Sequence, residues 1–311
     1  SVVCTETPGV TQVTRHYTEQ GIRKIRTDYH TPVGDLCTVA RVVELDSPSG
    51  TTHWHEERLF KGPEDYRAIE YLIRSRVHLP NYAPCLERQR MGGDDIVLRA
   101  GVGYEPLQEI IVTIMGLEAF SVEWAERRDE VLRLHQALVE DRRKIYPIVA
   151  QSPVLHANYG GNVHPQVVGV QRFAQCILPQ YQEFAEEMHR HGKLAGTHLD
   201  ANNRLIAPLV AQSGLDYIEA FSPAPDSDMT VREALDAWPG MLLWINFPSS
   251  VHLLGTKEVE RTTLEILRQS APGDRLLVGI TEDVPRALWQ EGYSAILRTL
   301  NERGRLPIHG L

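Results

Sequence analysis

The sequence predicts an α/β protein in which short parallel strands alternate with helices. Short apolar runs are separated by amphipathic stretches of helical length, and polar residues directly follow several of these runs. Continuous apolar runs of strand length are typical of a parallel sheet that is covered by helices on both faces. At 311 residues, of which 42% are hydrophobic, the chain can bury a large core and still form one α/β barrel domain.

The first 62 residues predict an antiparallel β-ribbon instead. They contain three stretches in which apolar and polar residues alternate, separated by the turn signals TPVG and SPSG: Arg23 to Thr27, Leu36 to Leu45 and Thr51 to Phe60. A helix should begin at Pro63, because Pro is favoured early in helices and acidic residues at 64 and 65 suit the positive end of the helix dipole. We therefore expect a single domain, 1–311, with a ribbon at 1–62 and βα units at 63–311.

Six parallel strands and seven helices are predicted after the ribbon. The strands are Ile96–Ala100, Val154–Ala157, Leu194–His198, Tyr217–Ala220, Leu242–Asn246 and Leu276–Ile280. The helices lie at about 106–115, 118–146, 165–191, 203–213, 230–237, 256–270 and 284–302. Six strands are two fewer than a closed (β/α)8 barrel needs. A missing amino-terminal βα unit and the Val2–Thr5 run could supply the others.

Charge and composition exclude several classes of protein. The formal net charge is -9 and the Lys and Arg residues are scattered, which argues against a nucleic-acid partner. The sequence has no apolar run long enough for a membrane helix and no signal-peptide pattern, so we expect a cytoplasmic protein. The four cysteines are far apart without a CxxC pair, which predicts neither a disulfide framework nor a thiolate zinc site.

Polar residues cluster at the carboxyl ends of the predicted strands. In chain order they are His156, Asn158, His198, Asp200, Glu219, Asn246, Thr281, Glu282 and Asp283. Proteins built from βα units place their active sites at this rim, so the pattern predicts an enzyme. Each residue alone is also explained as a helix cap or loop hydrogen bond, and for Asp200 capping is about an even choice. Asp226, in the stiff loop after Glu219, either caps the next helix or faces a substrate.

The pair His198-x-Asp200 indicates a metal site. Alternate residues of an extended segment share one face, so the two side chains should point the same way. Together with Glu219 and Glu282 they would supply one nitrogen and three oxygen ligands to a divalent metal ion. Thr281 or Asp283 could take the place of Glu282.

Several segments resemble the uroporphyrinogen decarboxylase superfamily, which also contains corrinoid and coenzyme M methyltransferases. They are NYGGNV, LPQYQEFAEEMHRHGKLAGTHLDANN and GLDYIEAFSPAPDSD, supported by TPVGDL, FKGPEDY and GDRLLVGITEDVP. The resemblance covers most of the chain and implies a (β/α)8 TIM barrel. In the superfamily, the loop that matches Gly101 to Gly103, after the first predicted parallel strand, borders the substrate. The resemblance therefore adds Tyr104 to the substrate-binding candidates His156, Asn158, Asp226 and Asn246.

The motifs that are present and absent favour one branch of the superfamily, the methyltransferases, over the decarboxylases. The decarboxylases share an arginine motif, PVW-x-MRQAGR, and an early-strand aspartate, and this chain has neither. The methyltransferases bind zinc through His-x-Cys, a glutamate on the next strand and a late cysteine. The matching positions here are His198-x-Asp200, Glu219 and the Thr281-Glu282 dipeptide. The resemblance therefore implies zinc held by His198, Asp200, Glu219 and Glu282, with the first three as catalytic residues.

Oxygen ligands in place of both thiolates would make the metal a harder Lewis acid, suited to a substrate oxygen. The resemblance then implies a methyltransferase that moves a methyl group between a small substrate, preferably a methyl ether, and a corrinoid on a separate partner protein. Two alternatives remain open: a uroporphyrinogen decarboxylase, which is a lyase that needs cations to hold acidic side chains, and a non-catalytic barrel that binds a tetrapyrrole or partner. The acidic, amide-rich strand ends disfavour the decarboxylase.

Overall fold

The fold is that of a computed structural model, which describes residues 1–45, 50–280 and 283–310. The chain divides into two compact units. Unit 1 contains Ser1–Glu44, Thr51–Gly160 and Glu186–Lys193, and unit 2 contains Leu45–Gly50, Gly161–Ala185 and Leu194–Leu311. None of the described helices has the length and apolar composition needed to cross a membrane.

The predicted antiparallel ribbon is present at the start of unit 1. After β1 (Val3–Glu6), four strands pair in chain order as β2 (Thr11–Glu19), β3 (Ile22–Thr31), β4 (Gly34–Glu44) and β5 (Thr51–Glu57). The sequence indicated the last three of these strands but not β2, which is exposed at nearly every position and has no apolar face to reveal it.

The rest of unit 1 combines helices with two pairs of short strands. Its elements are α1 (Tyr66–Arg74), β6 (Val77–Pro80), α2 (Ala83–Gly92), β7 (Arg99–Gly101), α3 (Pro106–Gln108), α4 (Leu117–Glu126), α5 (Arg128–Ala150) and β8 (His156–Asn158). A π-helical turn, Glu109–Met115, extends α3. Strand β6 pairs antiparallel with β1, and β7 pairs in parallel with β8.

Two details of unit 1 test the sequence predictions directly. The helical start at Pro63 is confirmed as a 3₁₀ turn, Pro63–Asp65, that leads into α1. The Asp65 carboxylate accepts hydrogen bonds from the backbone N–H groups of Lys61 (2.7 Å) and Gly62 (3.2 Å) at this start. The prediction of one continuous helix over 118–146 is wrong. The segment divides into two helices at Arg127, whose backbone leaves the helical region (φ −134, ψ 44). The Arg127 guanidinium donates hydrogen bonds to the carboxylate of Glu123, one turn earlier.

Unit 2 is formed by alternating strands and helices. The elements that follow β8 are α6 (Pro165–Val168), α7 (Val170–Arg172), α8 (Leu178–Arg190), β9 (Leu194–His198), α9 (Ala207–Val210), β10 (Tyr217–Phe221), α10 (Val231–Ala237), β11 (Leu242–Asn246), α11 (Thr256–Ser270), β12 (Leu276–Gly279) and α12 (Trp289–Arg303). The boundary between the units falls within α8. The single helix expected over 165–191 is interrupted at Gly169, which has φ +77.

The four strands of unit 2 form a parallel sheet in the order β9-β10-β11-β12. Every residue of β10 is buried, as expected of a parallel strand between helical layers. Packing on one side is fixed by Trp238, whose ring meets Phe221 edge-on at 5.8 Å and whose Nε1 donates to the Ala207 carbonyl at 3.0 Å.

The fold is thus mixed α/β, with parallel strands following an antiparallel ribbon. The described part of the chain contains six parallel strands, two in unit 1 and four in unit 2, and each overlaps a strand that the sequence predicted. These described strands do not form a closed barrel.

Candidate active site

The candidate site of unit 2 is built around His198, the last residue of β9. His198 and Glu219 are register partners on the neighbouring parallel strands β9 and β10. Nδ1 of His198 lies 2.8 Å from Oε2 of Glu219, and Nε2 of His198 lies 3.2 Å from Oδ2 of Asp200. The three residues that the sequence predicted to be catalytic therefore meet, with a carboxylate at each nitrogen of one imidazole ring.

The environment keeps this imidazole charged. Burial lowers the pKa of His198, but the hydrogen bonds to Asp200 and Glu219, together with their negative charges, outweigh it and raise the pKa to about 10. The Glu219 side chain is 4% exposed, whereas those of His198 and Asp200 are 26% and 27% exposed. At neutral pH the site is therefore an imidazolium held from inside by a buried carboxylate and from outside by an accessible one.

The backbone around the site adopts unusual conformations. Ala220, which follows Glu219, has φ +53, and the pairing register with β11 shifts between Glu219 and Phe221. A positive φ is unfavourable for a residue with a Cβ, and bulges often redirect side chains near functional sites. On another side of the site, Gly161 (φ +150) lies so close that an added Cβ would be 3.2 Å from the Cβ of His198.

The described donors do not fit the predicted zinc site as they stand. A zinc-bound histidine directs one ring nitrogen at the metal, with the other ligands around that same ion. Here Asp200 and Glu219 lie at opposite edges of the His198 ring, so both ring nitrogens face a carboxylate. Among the described residues, no group of three His, Cys, Asp or Glu side chains is arranged to hold a metal ion. The fourth predicted ligand, Glu282, and its substitute Thr281 lie outside the described residues.

Two further predicted site residues belong to unit 2. Asn246 ends β11, is 1% exposed, and its Nδ2 lies 3.5 Å from the Ser222 hydroxyl. Asp226 accepts hydrogen bonds from the hydroxyl groups of Ser249 and Ser250 and from the backbone N–H of Ser250 (3.2 Å). It therefore caps the turn after β11. The sequence offered capping of the next helix, but α10 is capped by Thr230.

The remaining predicted residues, Tyr104, His156 and Asn158, lie in unit 1. The Tyr104 carbonyl accepts a hydrogen bond from Arg142 Nε at 3.0 Å, and the Asn158 carbonyl accepts one from Val102 N–H at 3.0 Å. Burial lowers the pKa of His156, and the charge of Arg99 lowers it further. The contacts of Tyr104 and Asn158 use their main-chain carbonyls, and the part of the three side chains in substrate binding stays a prediction.

A buried ionic cluster in unit 1 was not predicted from the sequence. It consists of Arg76, His78, Glu109, Asp141 and Arg142. A signal was present in α5, where Asp141 (1% exposed) and Arg142 (8% exposed) interrupt an apolar stripe that runs through Val131, Leu134, Leu138, Ile145 and Val149. Charged residues within an apolar helix face require partners in the interior.

Comparison with known proteins identifies the fold but no family. A solved structure, the methyltransferase from Methanosarcina mazei, matches with a TM-score of 0.57 and 11% identity, over 81% of this chain and 72% of that chain. The chain thus has a methyltransferase-like fold. A mandelate racemase/muconate lactonizing enzyme from Jannaschia sp. CCS1 covers 88% of this chain and 87% of its own at 12% identity, but its TM-score of 0.24 supports no conclusion. No family model matches the sequence, and no curated protein matches it significantly.

Proposed function

We propose that this chain is a methyltransferase of the uroporphyrinogen decarboxylase superfamily, with a (β/α)8 barrel, that transfers a methyl group from an oxygen atom of a small substrate to a corrinoid on a partner protein. The fold of the Methanosarcina mazei methyltransferase and the quoted sequence segments support the class. The observation that carries the proposal is the imidazolium of His198, held at both nitrogens by carboxylates. When present, the corrinoid supplies the nucleophile that receives the methyl group.

His198 is suited to donate a proton to the departing oxygen. Breaking a methyl–oxygen bond leaves an electron pair on the oxygen, and a proton placed there makes the oxygen a better leaving group. With its pKa raised to about 10, His198 is protonated at neutral pH before the substrate binds and can therefore act as the acid. The methyl carbon forms a new bond with an electron pair of the acceptor while its bond to oxygen breaks. The oxygen keeps the electron pair of the broken bond, takes the proton of His198 and leaves as an alcohol or phenol, and His198 regains a proton from water.

Asp200 and Glu219 have different roles in this reaction. The Nε2 contact to Asp200 is longer than the Nδ1 contact to Glu219, 3.2 Å against 2.8 Å, and Asp200 is the more exposed carboxylate. A substrate oxygen can therefore replace Asp200 at Nε2 while Glu219 keeps the ring oriented through Nδ1. Asp200 would then serve to raise the pKa of His198 before the substrate binds.

Zinc held by His198, Asp200, Glu219 and Glu282 is the competing proposal for the same residues. It requires both carboxylates to leave the ring nitrogens that they contact here. The two alternatives differ in what activates the leaving oxygen, which is the Nε2 proton in one case and a metal ion in the other. Removal of divalent metal therefore distinguishes them.

The other functions considered fit this site less well. A uroporphyrinogen decarboxylase must bind the acidic side chains of its substrate, and the carboxylates of Asp200 and Glu219 would repel those side chains. A barrel that only binds a ligand has no need of an imidazolium that is hydrogen-bonded at both nitrogens. Ordering three ionisable groups at a partly buried position costs stability, and a catalytic role of these charges would explain that cost.

The test is a methyl-transfer assay with cob(I)alamin or a corrinoid protein as acceptor and methoxylated aromatics, thiols and quaternary amines as alternative donors. We expect oxygen-linked donors to be preferred, and His198→Gln to lower the rate about 100-fold or more while the protein stays folded. His16→Gln, an exposed histidine of the ribbon, is the matched control and should retain the wild-type rate.

The same assay after chelation and dialysis separates the two activation mechanisms. A rate that survives metal removal supports proton donation by His198, and a rate restored only by zinc supports the metal site instead. A wild-type protein that transfers no methyl group from any of these donors, or a His198→Gln variant as active as wild type, would contradict the proposed function.

A further inference from the structure

Unit 1 contains a cavity of about 570 Å³ with a strongly basic wall. Its lining includes Arg76, His78, Arg99 and Arg142, and the described lining contains no Asp or Glu. The cavity lies beside the antiparallel pair β1 and β6, the segment from Gly101 at the end of β7 to Gly103, and α5. This volume is in the range of pockets that bind small molecules.

Two buried carboxylates support the basic wall from behind. Glu109 accepts from Arg76 Nη2 at 3.0 Å and from Arg142 Nη2, while Asp141 accepts from Arg76 Nη1 at 3.1 Å. His78 bridges Asp141 (Nε2 to Oδ1, 2.7 Å) and the hydroxyl of Thr5 (Nδ1 to Oγ1, 2.9 Å). Since neither acid lines the cavity, these bonds fix the guanidinium groups and leave the arginines, rather than the carboxylates, at its wall.

Arg76 and Arg142 have donors left for a ligand. A guanidinium carries more N–H groups than the two that Arg76 gives to Glu109 and Asp141. Arg142 donates Nε to the Tyr104 carbonyl and Nη2 to Glu109, and its Nη1 lies 3.6 Å from Asp141. The side chains of Arg76 and Arg142 are only 17% and 9% exposed, so the remaining N–H groups face the cavity side and can donate to water or to a ligand that replaces it.

We propose that this cavity binds the oxyanion, carboxylate or phosphate, of a small molecule. Fixed guanidinium forks match the geometry of both oxyanions and bind them more strongly than neutral donors do. Val3, Val102 and Ile145 also line the cavity and provide apolar contact for the body of the ligand. The proposal concerns unit 1 alone and does not depend on methyl transfer at His198.

Gly101 offers a test that leaves the ionic cluster intact. It lines the cavity, and a Cβ added there would meet no atom within 4 Å. Gly101→Leu therefore places an isobutyl group at the cavity without breaking any bond of Arg76 or Arg142. Gly240→Leu in unit 2 is the matched control, since a Cβ there also meets nothing within 4 Å.

Isothermal titration calorimetry with inorganic phosphate, benzoate and the neutral analogue benzamide measures binding to the full chain. We expect benzoate or phosphate to bind to wild type and Gly240→Leu, and Gly101→Leu to bind about tenfold more weakly or not at all. The anion that binds with the higher affinity shows whether the cavity prefers a carboxylate or a phosphate. Arg76→Gln should also weaken binding, with a thermal melt to show that the variant is folded.

Two results would overturn the proposal. One is the absence of binding of both anions to wild type at low ionic strength. The other is binding that does not depend on the cavity or on charge, so that Gly101→Leu binds as wild type does or benzamide binds as tightly as benzoate.

Discussion

Glu219 and His198 face each other across two neighbouring parallel strands, and the Glu219 carboxylate is bonded to Nδ1 of the imidazole at 2.8 Å. Because β9 and β10 are in register at these residues, the contact is set by the sheet rather than by a loop. A bond that the sheet fixes gives the ring one orientation and presents Nε2 toward the accessible side, where Asp200 lies.

Glu219→Gln should lower the pKa of His198, because it replaces a buried negative charge by a neutral amide. The pKa should move from about 10 toward the ordinary value of 6.5. An NMR titration of the His198 ring measures this shift, and Asp200→Asn should lower the pKa in the same direction. An unchanged pKa in both variants would show that the carboxylates do not hold the proton on His198.

The stability of the protein should fall at alkaline pH because of His198. The folded-state pKa of about 10 lies above the ordinary value of 6.5, so its stabilising contribution is complete below about pH 6.5 and is lost as pH rises through about 10. Urea unfolding of wild type and His198→Gln, measured at several pH values between about 6.5 and 10, tests this pH dependence. The difference in unfolding free energy should shrink with rising pH, and a difference independent of pH would refute the assignment.

Gly161→Ala should destabilise the protein and disturb His198. At φ +150 a residue with a Cβ is strained, and the new Cβ would lie 3.2 Å from that of His198, so we expect a loss of about 1–3 kcal/mol. Gly192→Ala is the control, since Gly192 also has a positive φ (+66) but nothing lies within 4 Å of its added Cβ. Only Gly161→Ala should also change the pKa of His198, and equal pKa values in the two variants would contradict this contact.

Asp141→Ala should strongly destabilise unit 1. Asp141 is 1% exposed and contacts Arg76, His78 and Arg142, so its removal leaves buried positive charge uncompensated at a cost of about 3–5 kcal/mol. Chemical denaturation measures the loss. Glu87→Ala, which breaks the exposed pair with Arg90, should change stability little. Similar effects of the two substitutions would show that burial of the cluster is not what makes it important.

The purified protein should not convert uroporphyrinogen to coproporphyrinogen. The arginine motif of the decarboxylases is absent from the sequence, and His198 is flanked by two carboxylates. Saturable turnover of uroporphyrinogen, assayed with the longest natural form of the chain, would favour the decarboxylase over the methyltransferase.

The parallel strands were the part of the fold that the sequence predicted best. Strands β9 and β11 and helix α11 have the predicted bounds, because each is an uninterrupted apolar or amphipathic segment between clear turn signals. The pair of β1 and β6 was not predicted as a pair. Its two strands have four residues each and lie some seventy positions apart, and nothing local in Val77–Pro80 identifies its partner. Helix α2 has no buried residue and hence no apolar stripe to detect.

The candidate site was predictable only in part. Strand ends and alternation were sufficient to bring His198, Asp200 and Glu219 together, because both depend on local chain geometry. They could not show that the two carboxylates would bond opposite edges of the ring, since this depends on side-chain positions around the bulge at Ala220. The arginine-lined cavity was not predicted because Arg76, His78 and Arg142 lie away from the ends of the parallel strands, where site residues were expected.

Two effects on stability oppose each other at Ala220. A glycine would adopt its φ of +53 without steric penalty, so the alanine keeps the backbone beside Glu219 in a conformation that the residue itself disfavours. The same methyl group restricts the backbone at position 220 in the unfolded chain, where a glycine would sample more conformations. Ala220→Gly would therefore relieve strain in the folded state and raise the conformational entropy of the unfolded state, and the change in unfolding free energy would show which effect is larger.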